Sequence, residues 1–136
     1  MIDFFNTESE TIRILVVDDE PMIRDLLEQS LERTGYDCSF AENGEAALEK
    51  MALVPFDVVV TDIDMPGMGG LQLVRHLRAN PRTLGIPIIM VTSDSEVLRT
   101  EALESGVNVV LGKPYPEEQL IAHIQRLVMT RTDALS

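Results

Sequence analysis

A chain of 136 residues with 45% hydrophobic content is long enough to form one domain with its own hydrophobic core. Its formal net charge of -12 argues against binding to nucleic acid, because such binding depends on clustered positive charge. A single cysteine, Cys38, excludes an internal disulfide, and no apolar run in the sequence is long enough to span a bilayer, so we expect a cytoplasmic protein that does not insert into membranes.

Short apolar runs alternate with segments of helical period along the first half of the chain. Ile23, Leu26 and Leu27 recur at helical spacing and predict a core-facing stripe on the first helix. Pro21 suits the first turn of that helix and Gly35 suits its end. The predicted elements are a strand at 12–17, a helix at 21–34, a strand at 36–41, a short helix at 45–51 and a strand at 57–61.

The second half continues this alternation. It predicts a helix at 70–79, a strand at 86–91, a helix capped by Ser95, a strand at 107–111 and a final helix from Pro116. Residues 1–11 and 130–136 show no period and are predicted to be tails. One domain is therefore expected at 12–129.

Five strand–helix pairs in strict alternation indicate an α/β fold, with a parallel sheet covered by helices on both faces. Strands buried on both faces are continuously apolar, as are the three valines at 58–60. In open sheets of this kind, the functional site lies beyond the carboxyl ends of the strands. The residues that directly follow the strands should therefore meet at one edge of the sheet.

Charged and hydroxyl side chains follow four of the predicted strands: Asp18 and Asp19 follow the first, Asp62 and Asp64 the third, Thr92 the fourth and Lys113 the fifth. Carboxylates about 5 Å apart repel by roughly 3 kcal/mol per pair at an effective dielectric of about 20, so such a cluster needs a cation or raised pKa values. Oxygen ligands favour Mg²⁺ or Mn²⁺ over zinc. A metal beside an accessible carboxylate makes Asp62 a candidate acceptor of a phosphoryl group.

Four motifs follow the predicted strands in order: DDE at 18–20, DIDMPGMGG at 62–70, TS at 92–93 and KPY at 113–115. Together they resemble the receiver domain of bacterial response regulators, the phosphorylated proteins of two-component signalling. The resemblance covers about residues 12–128. It implies a flavodoxin-like, doubly wound fold with five helices and the strand order 2-1-3-4-5.

Three residues are implied by this resemblance to handle the phosphoryl group. Asp62 corresponds to the phosphoacceptor, Thr92 to the switch hydroxyl and Lys113 to the lysine that pairs with the phosphoryl group. Many members of the family carry an aromatic residue three positions before this lysine, and its ring turns inward on activation. Val110 occupies that position here and cannot turn in the same way.

The resemblance also implies a set of ligands for Mg²⁺. Asp19 corresponds to the direct ligand, and Asp18 to a residue that acts through water or hydrogen bonds. Asp62 and the backbone carbonyl of Asp64 complete the protein's share of the ligands. A cis peptide bond between Lys113 and Pro114 is a further implication, since proline permits this isomer at modest cost.

In functional terms, the resemblance implies a phosphorylation-dependent signalling protein rather than a metabolic enzyme. The phosphoryl donor would be a sensor histidine kinase or a histidine phosphotransfer protein, and the domain would catalyse its own phosphorylation and slow dephosphorylation. The face formed by the fourth helix, fifth strand and fifth helix would contact a downstream protein target. A homodimer formed on phosphorylation is compatible with the same family.

Two other functions stay open on the sequence alone. A phosphatase of the haloacid dehalogenase type would use Asp62 as nucleophile and Asp64 as general acid and base, because its Asp-x-Asp motif also follows an apolar strand. That motif normally opens the domain, however, and the acidic pair Asp18 and Asp19 would have no role. A receiver-like binding module that is never phosphorylated is the second alternative.

Overall fold

Five parallel strands form the centre of the computed structural model, which describes residues 11–93 and 96–135 (backbone only for 96–98 and 130–135). The strands are β1 Arg13–Val17, β2 Asp37–Ala41, β3 Val58–Asp62, β4 Ile88–Thr92 and β5 Val109–Gly112. Their order in the sheet is β2-β1-β3-β4-β5, and all neighbouring pairs run parallel. This result confirms the predicted flavodoxin-like order.

One helix follows each strand, as the alternation of apolar runs and helical periods predicts. The helices are α1 Pro21–Glu32, α2 Gly44–Leu53, α3 Gly70–Ala79, α4 Glu96–Glu104 and α5 Glu117–Leu135. Within the part of the chain that the structure describes, no helix is both long and apolar enough to cross a lipid bilayer.

The core is divided into two layers, because successive side chains of a strand point to opposite faces of the sheet. Leu15 of β1 packs in one layer with buried residues of α2, α3 and α4, such as Leu73. Ile14, its neighbour in the chain, packs in the other layer with buried residues of α1 and α5, such as Leu120. The helices thus cover both faces of the sheet, which explains why the strands are apolar throughout.

Several boundaries differ from the predicted ones by one or two residues, and the ends of β3 and α5 are the differences that matter here. Strand β3 extends one residue beyond its predicted end, because Asp62 still pairs with Val91 of β4. Helix α5 continues to Leu135 and so runs through most of the polar tail predicted from residue 130. Since the sequence has neither proline nor glycine between Glu117 and Leu135, nothing in the backbone chemistry ends the helix earlier. The predicted tail at 1–11 lies, except for Thr11, outside the described residues.

The start of α3 packs directly against the end of β3. The backbone N–H of Gly70 donates a hydrogen bond to the carbonyl of Ile63 at 2.9 Å. A Cβ atom at position 70 would lie 2.2 Å from the carbonyl oxygen of Asp62, so only glycine fits here. This close approach fixes the base of the loop that follows β3.

We expect Gly70→Ala to lower the free energy of unfolding by about 3 kcal/mol, because the added methyl group would overlap backbone atoms of β3. Urea titration would measure this change. Gly85→Ala is the matched control, since a Cβ at Gly85 would meet nothing within 4 Å. Its effect should stay within about 0.5 kcal/mol, and equal effects of the two substitutions would contradict the close packing of Gly70.

Candidate functional site

Three carboxylates meet at the carboxyl edge of the sheet. Asp62 ends β3 and is 8% exposed, and Asp18 directly follows β1 and is 5% exposed. Asp19, the next residue, is exposed to solvent. One carboxylate oxygen from each of the three lies within 4.8 Å of the other two. The strand ends therefore assemble an acidic cluster from residues more than forty positions apart in the chain.

Lys113 supplies a positive charge to this cluster. Its Nζ donates a hydrogen bond to Oδ2 of Asp62 at 3.2 Å. The other oxygen of Asp62, Oδ1, accepts from the backbone N–H of Ile63 at 2.8 Å. The peptide bond between Lys113 and Pro114 is cis, which confirms the expectation from the family resemblance. Both oxygens of the Asp62 carboxylate are thus held by donors.

Thr92 lies at the end of the strand next to Asp62. It is the last residue of β4 and is 2% exposed, and its carbonyl accepts a hydrogen bond from the backbone N–H of Lys113 at 2.7 Å. Since Val91 pairs with Asp62, Thr92 lies one residue further along the neighbouring strand. Asp64 lies in the loop after β3 with an exposed side chain.

The buried carboxyl group of Asp18 has a raised pKa. Burial is the largest cause, because removal from water disfavours the ionised form. The backbone N–H of Glu20, which donates to Oδ1 of Asp18 at 2.9 Å, acts in the opposite direction. The negative charge of Asp62 raises this pKa further, while Lys113 lowers it. A divalent cation at the cluster would offset the cost of keeping Asp18 ionised.

We expect Asp18→Asn to raise the melting temperature of the metal-free protein by a few degrees at neutral pH. A folded-state pKa above the ordinary value of 3.8 means that stability falls as the pH rises from that value through the raised pKa. Asparagine removes this charge and can still accept the hydrogen bond from Glu20.

Thermal unfolding with EDTA and then with Mg²⁺ would measure both parts of this expectation. Mg²⁺ should stabilise the wild-type protein but have little effect on the Asp18→Asn variant, which lacks one carboxylate ligand. Asp25→Asn, at an exposed position on α1, is the control and should behave like the wild type. A lower melting temperature of Asp18→Asn in EDTA would contradict the electrostatic account.

An apolar groove beside the acidic cluster was not predicted. It has a volume of about 530 Å³ and lies between α1 and the start of α5, with Leu26, Lys113 and Tyr115 in its lining. Burial raises the pKa of Tyr115, and the negative charges of Asp18, Glu117 and Asp62 add to this effect. Helical spacing predicts Leu26 in the core-facing stripe of α1, but this side chain is 55% exposed. Its exposure depends on which elements cover α1, and helical spacing does not contain that information.

Two further features lie away from the cluster. Val110 of β5 is 5% exposed and packs in the same core layer as Ala102 of α4. A second cavity of about 320 Å³ lies near the amino ends of the strands, between the ends of α2 and α3. Met51 and Phe56 are in its lining. None of the residues predicted to form the site lines this cavity.

Comparison with known proteins places this arrangement in a family. The sequence profile of the response regulator receiver domain matches residues 14–125. The uncharacterized transcriptional regulatory protein YrkP of Bacillus subtilis is 40% identical over 113 residues, which cover 82% of this chain and 47% of YrkP. Response regulator MprA of Mycolicibacterium vanbaalenii is 38% identical over 122 residues, or 89% of this chain and 52% of MprA. The chain thus spans about half the length of the curated relatives it matches.

A solved structure gives the same result. The chemotaxis response regulator CheY4 of Vibrio cholerae superposes with a TM-score of 0.81 at 32% identity, covering 86% of this chain and 98% of CheY4. The profile match runs from β1 into α5 and so includes the whole sheet apart from its first residue. This match to the receiver family leaves no support for a phosphatase of the haloacid dehalogenase type. We conclude that this chain belongs to the response regulator receiver domain family of two-component signalling.

Proposed function

We propose that Asp62 accepts a phosphoryl group and that the chain acts as a phosphorylation-dependent switch. The observation that carries this proposal is the position of the Asp62 carboxylate between positive and negative groups. The Lys113 Nζ lies 3.2 Å from one of its oxygens, and the carboxylates of Asp18 and Asp19 lie close by. The proposed nucleophile, a positively charged side chain and the proposed metal ligands therefore lie together beyond the carboxyl ends of the strands.

The proposed reaction transfers phosphorus from nitrogen to oxygen. A carboxylate oxygen of Asp62 attacks the phosphorus of a phosphohistidine on a partner protein. The phosphorus–nitrogen bond breaks, the histidine nitrogen keeps the electron pair and takes up a proton, and an acyl phosphate forms on Asp62. Lys113 stabilises the negative charge that remains on the phosphoryl oxygens. The hydrogen bond from Ile63 orients the carboxylate for the attack.

Asp18, Asp19 and Asp62 are the side chains that would hold Mg²⁺ or Mn²⁺, together with the backbone carbonyl of Asp64. Their hard oxygen atoms suit these cations, and their spacing within 4.8 Å suits a single ion. When bound, the ion supplies positive charge beside the oxygens of the transferring group. The burial of Asp18 excludes water from one side of the site and strengthens its interaction with that charge.

Thr92 links the phosphorylated state to the surface. Its hydroxyl donates a hydrogen bond to an oxygen of the phosphoryl group on Asp62, and this bond draws the end of β4 toward the site. The face formed by α4, β5 and α5 changes in response and contacts a target protein or a second copy of the chain. Because Val110 is small and packed in the same layer as Ala102, the change reaches α4 through packing and not through rotation of a ring.

The phosphoryl donor is a sensor histidine kinase or a histidine phosphotransfer protein that docks in the groove between α1 and α5. Met22 and Leu26 of α1 are 72% and 55% exposed, and the groove leads directly to Lys113. Exposed apolar side chains beside a polar site are typical of contact surfaces for proteins. A reducing cytoplasm fits both this donor and the single, partly buried Cys38.

Incubation with Mg²⁺ and acetyl phosphate, followed by mass spectrometry of the intact protein, tests the acceptor. We expect one phosphoryl adduct in the wild-type protein and none in Asp62→Asn, because the amide nitrogen of asparagine is not a nucleophile under these conditions. Asp37→Asn, at an exposed position of β2, should keep the adduct. No adduct in the wild type would favour a binding module that is never phosphorylated, and an adduct in Asp62→Asn would identify another acceptor.

The groove is tested separately with the donor that phosphotransfer profiling identifies. We expect Met22→Ser combined with Leu26→Ser to slow transfer from that donor about tenfold, since the loss of central apolar contacts costs about 1–2 kcal/mol. Labelling by acetyl phosphate should not change, because a small donor needs no docking surface. Leu53→Ser is the control, as Leu53 is 84% exposed and lies at the end of α2. Equal loss with both donors would indicate damage to the site and contradict a docking role.

A further inference from the structure

The loop that follows Asp62 is held by the first turn of α2. The backbone N–H of Met68 donates a hydrogen bond to Oε1 of Glu45 at 2.8 Å. The carbonyl of the same residue accepts from the backbone N–H of Gly44 at 3.1 Å. Both polar groups of the Met68 backbone are therefore bonded to two consecutive residues of one helix.

This contact leaves no space between the helix and the loop. A Cβ atom at Gly44 would lie 2.5 Å from Cγ of Met68, so the Met68 side chain packs directly on the backbone of Gly44. Asn43 caps the same helix, and its side chain accepts from the backbone N–H of Ala46 at 2.8 Å. The first turn of α2 is thus a fixed support for the loop.

The loop has a second fixed point at its base. The backbone N–H of Ile63 donates to the carbonyl of Val91 at 3.1 Å, and the carbonyl of Ile63 accepts from Gly70. Asp64 directly follows Ile63 and precedes Met68 in the chain, so its backbone lies between the two fixed points. The path of the loop that carries its carbonyl is therefore set at one end by β3 and at the other by the contact of Met68 with Glu45.

We propose that Glu45 is a positioning residue for the divalent cation, because it fixes the loop that presents the Asp64 carbonyl. This inference rests on the proposed function, in which that carbonyl is a metal ligand. The side chain of Glu45 is exposed, so its hydrogen bond contributes little to folding, and its effect falls on the geometry of the loop. Mutation of a group that orients a metal ligand typically lowers metal affinity by about 10–100-fold.

Calorimetric titration of the intact chain with MgCl₂ tests the proposal in three variants. Glu45→Ala removes the hydrogen-bond acceptor, and its dissociation constant for Mg²⁺ should rise about tenfold, at the low end of the range for such positioning groups. Glu45→Gln keeps an acceptor oxygen but loses the charge, and its affinity should stay within about twofold of the wild type. Glu49→Ala removes a negative charge from an exposed position of the same helix and should also match the wild type.

Hydrogen exchange of the Met68 amide provides a readout that does not depend on the metal. Exchange should be faster in Glu45→Ala and unchanged in Glu45→Gln. Equal loss of affinity in Glu45→Ala and Glu45→Gln would show that charge and not position matters, and unchanged affinity in Glu45→Ala would overturn the proposal directly. If the wild-type protein binds no Mg²⁺, the proposed metal site is wrong and the role of Glu45 is wrong with it. If the wild-type protein binds Mg²⁺ and Glu45→Ala binds it equally well, only the role of Glu45 is wrong.

Discussion

Crowding of like charges at one edge of a parallel sheet is the constraint on which the rest of this structure depends. Three carboxylates this close together repel one another, and either positive charge or a raised pKa, as at Asp18, relieves the repulsion. Lys113 supplies part of the positive charge, and a divalent cation would supply the remainder. The remaining features of the edge, such as the close approach of Gly70 and the donor at Ile63, hold these groups in place rather than neutralise them.

The two-layered core explains how a stable protein tolerates such a site. Strand β3 is buried throughout, so Asp62 stands at the end of a strand that is packed on both faces. Only the carboxyl end of this strand opens toward charged groups and solvent. Repulsion between carboxylates is therefore confined to the carboxyl ends of the strands, while apolar packing on both faces of the sheet supplies the stability. This division lets a change of charge at Asp62 alter local contacts without unfolding the domain.

Most of the fold could be predicted because local and global patterns agree. Continuous apolar strands that alternate with amphipathic helices leave few arrangements besides a doubly covered parallel sheet, and that sheet brings Asp18 and Asp62 together. The exposure of Leu26 and the contact between Glu45 and Met68 could not be predicted. Periodicity shows which residues share a face, but not whether another element covers it or which loop lies against a helix end. The extension of α5 was missed for a related reason, since loss of an apolar stripe does not itself end a helix.

The groove beside the acidic cluster has a consequence for the order of events in signalling. Its lining includes Glu117, the first residue of α5, and α5 also belongs to the face proposed to contact the target. A donor seated in the groove would therefore cover the beginning of the helix that the target must reach. The donor and the target would then bind the same helix one after the other. A signal would start only when the donor dissociates.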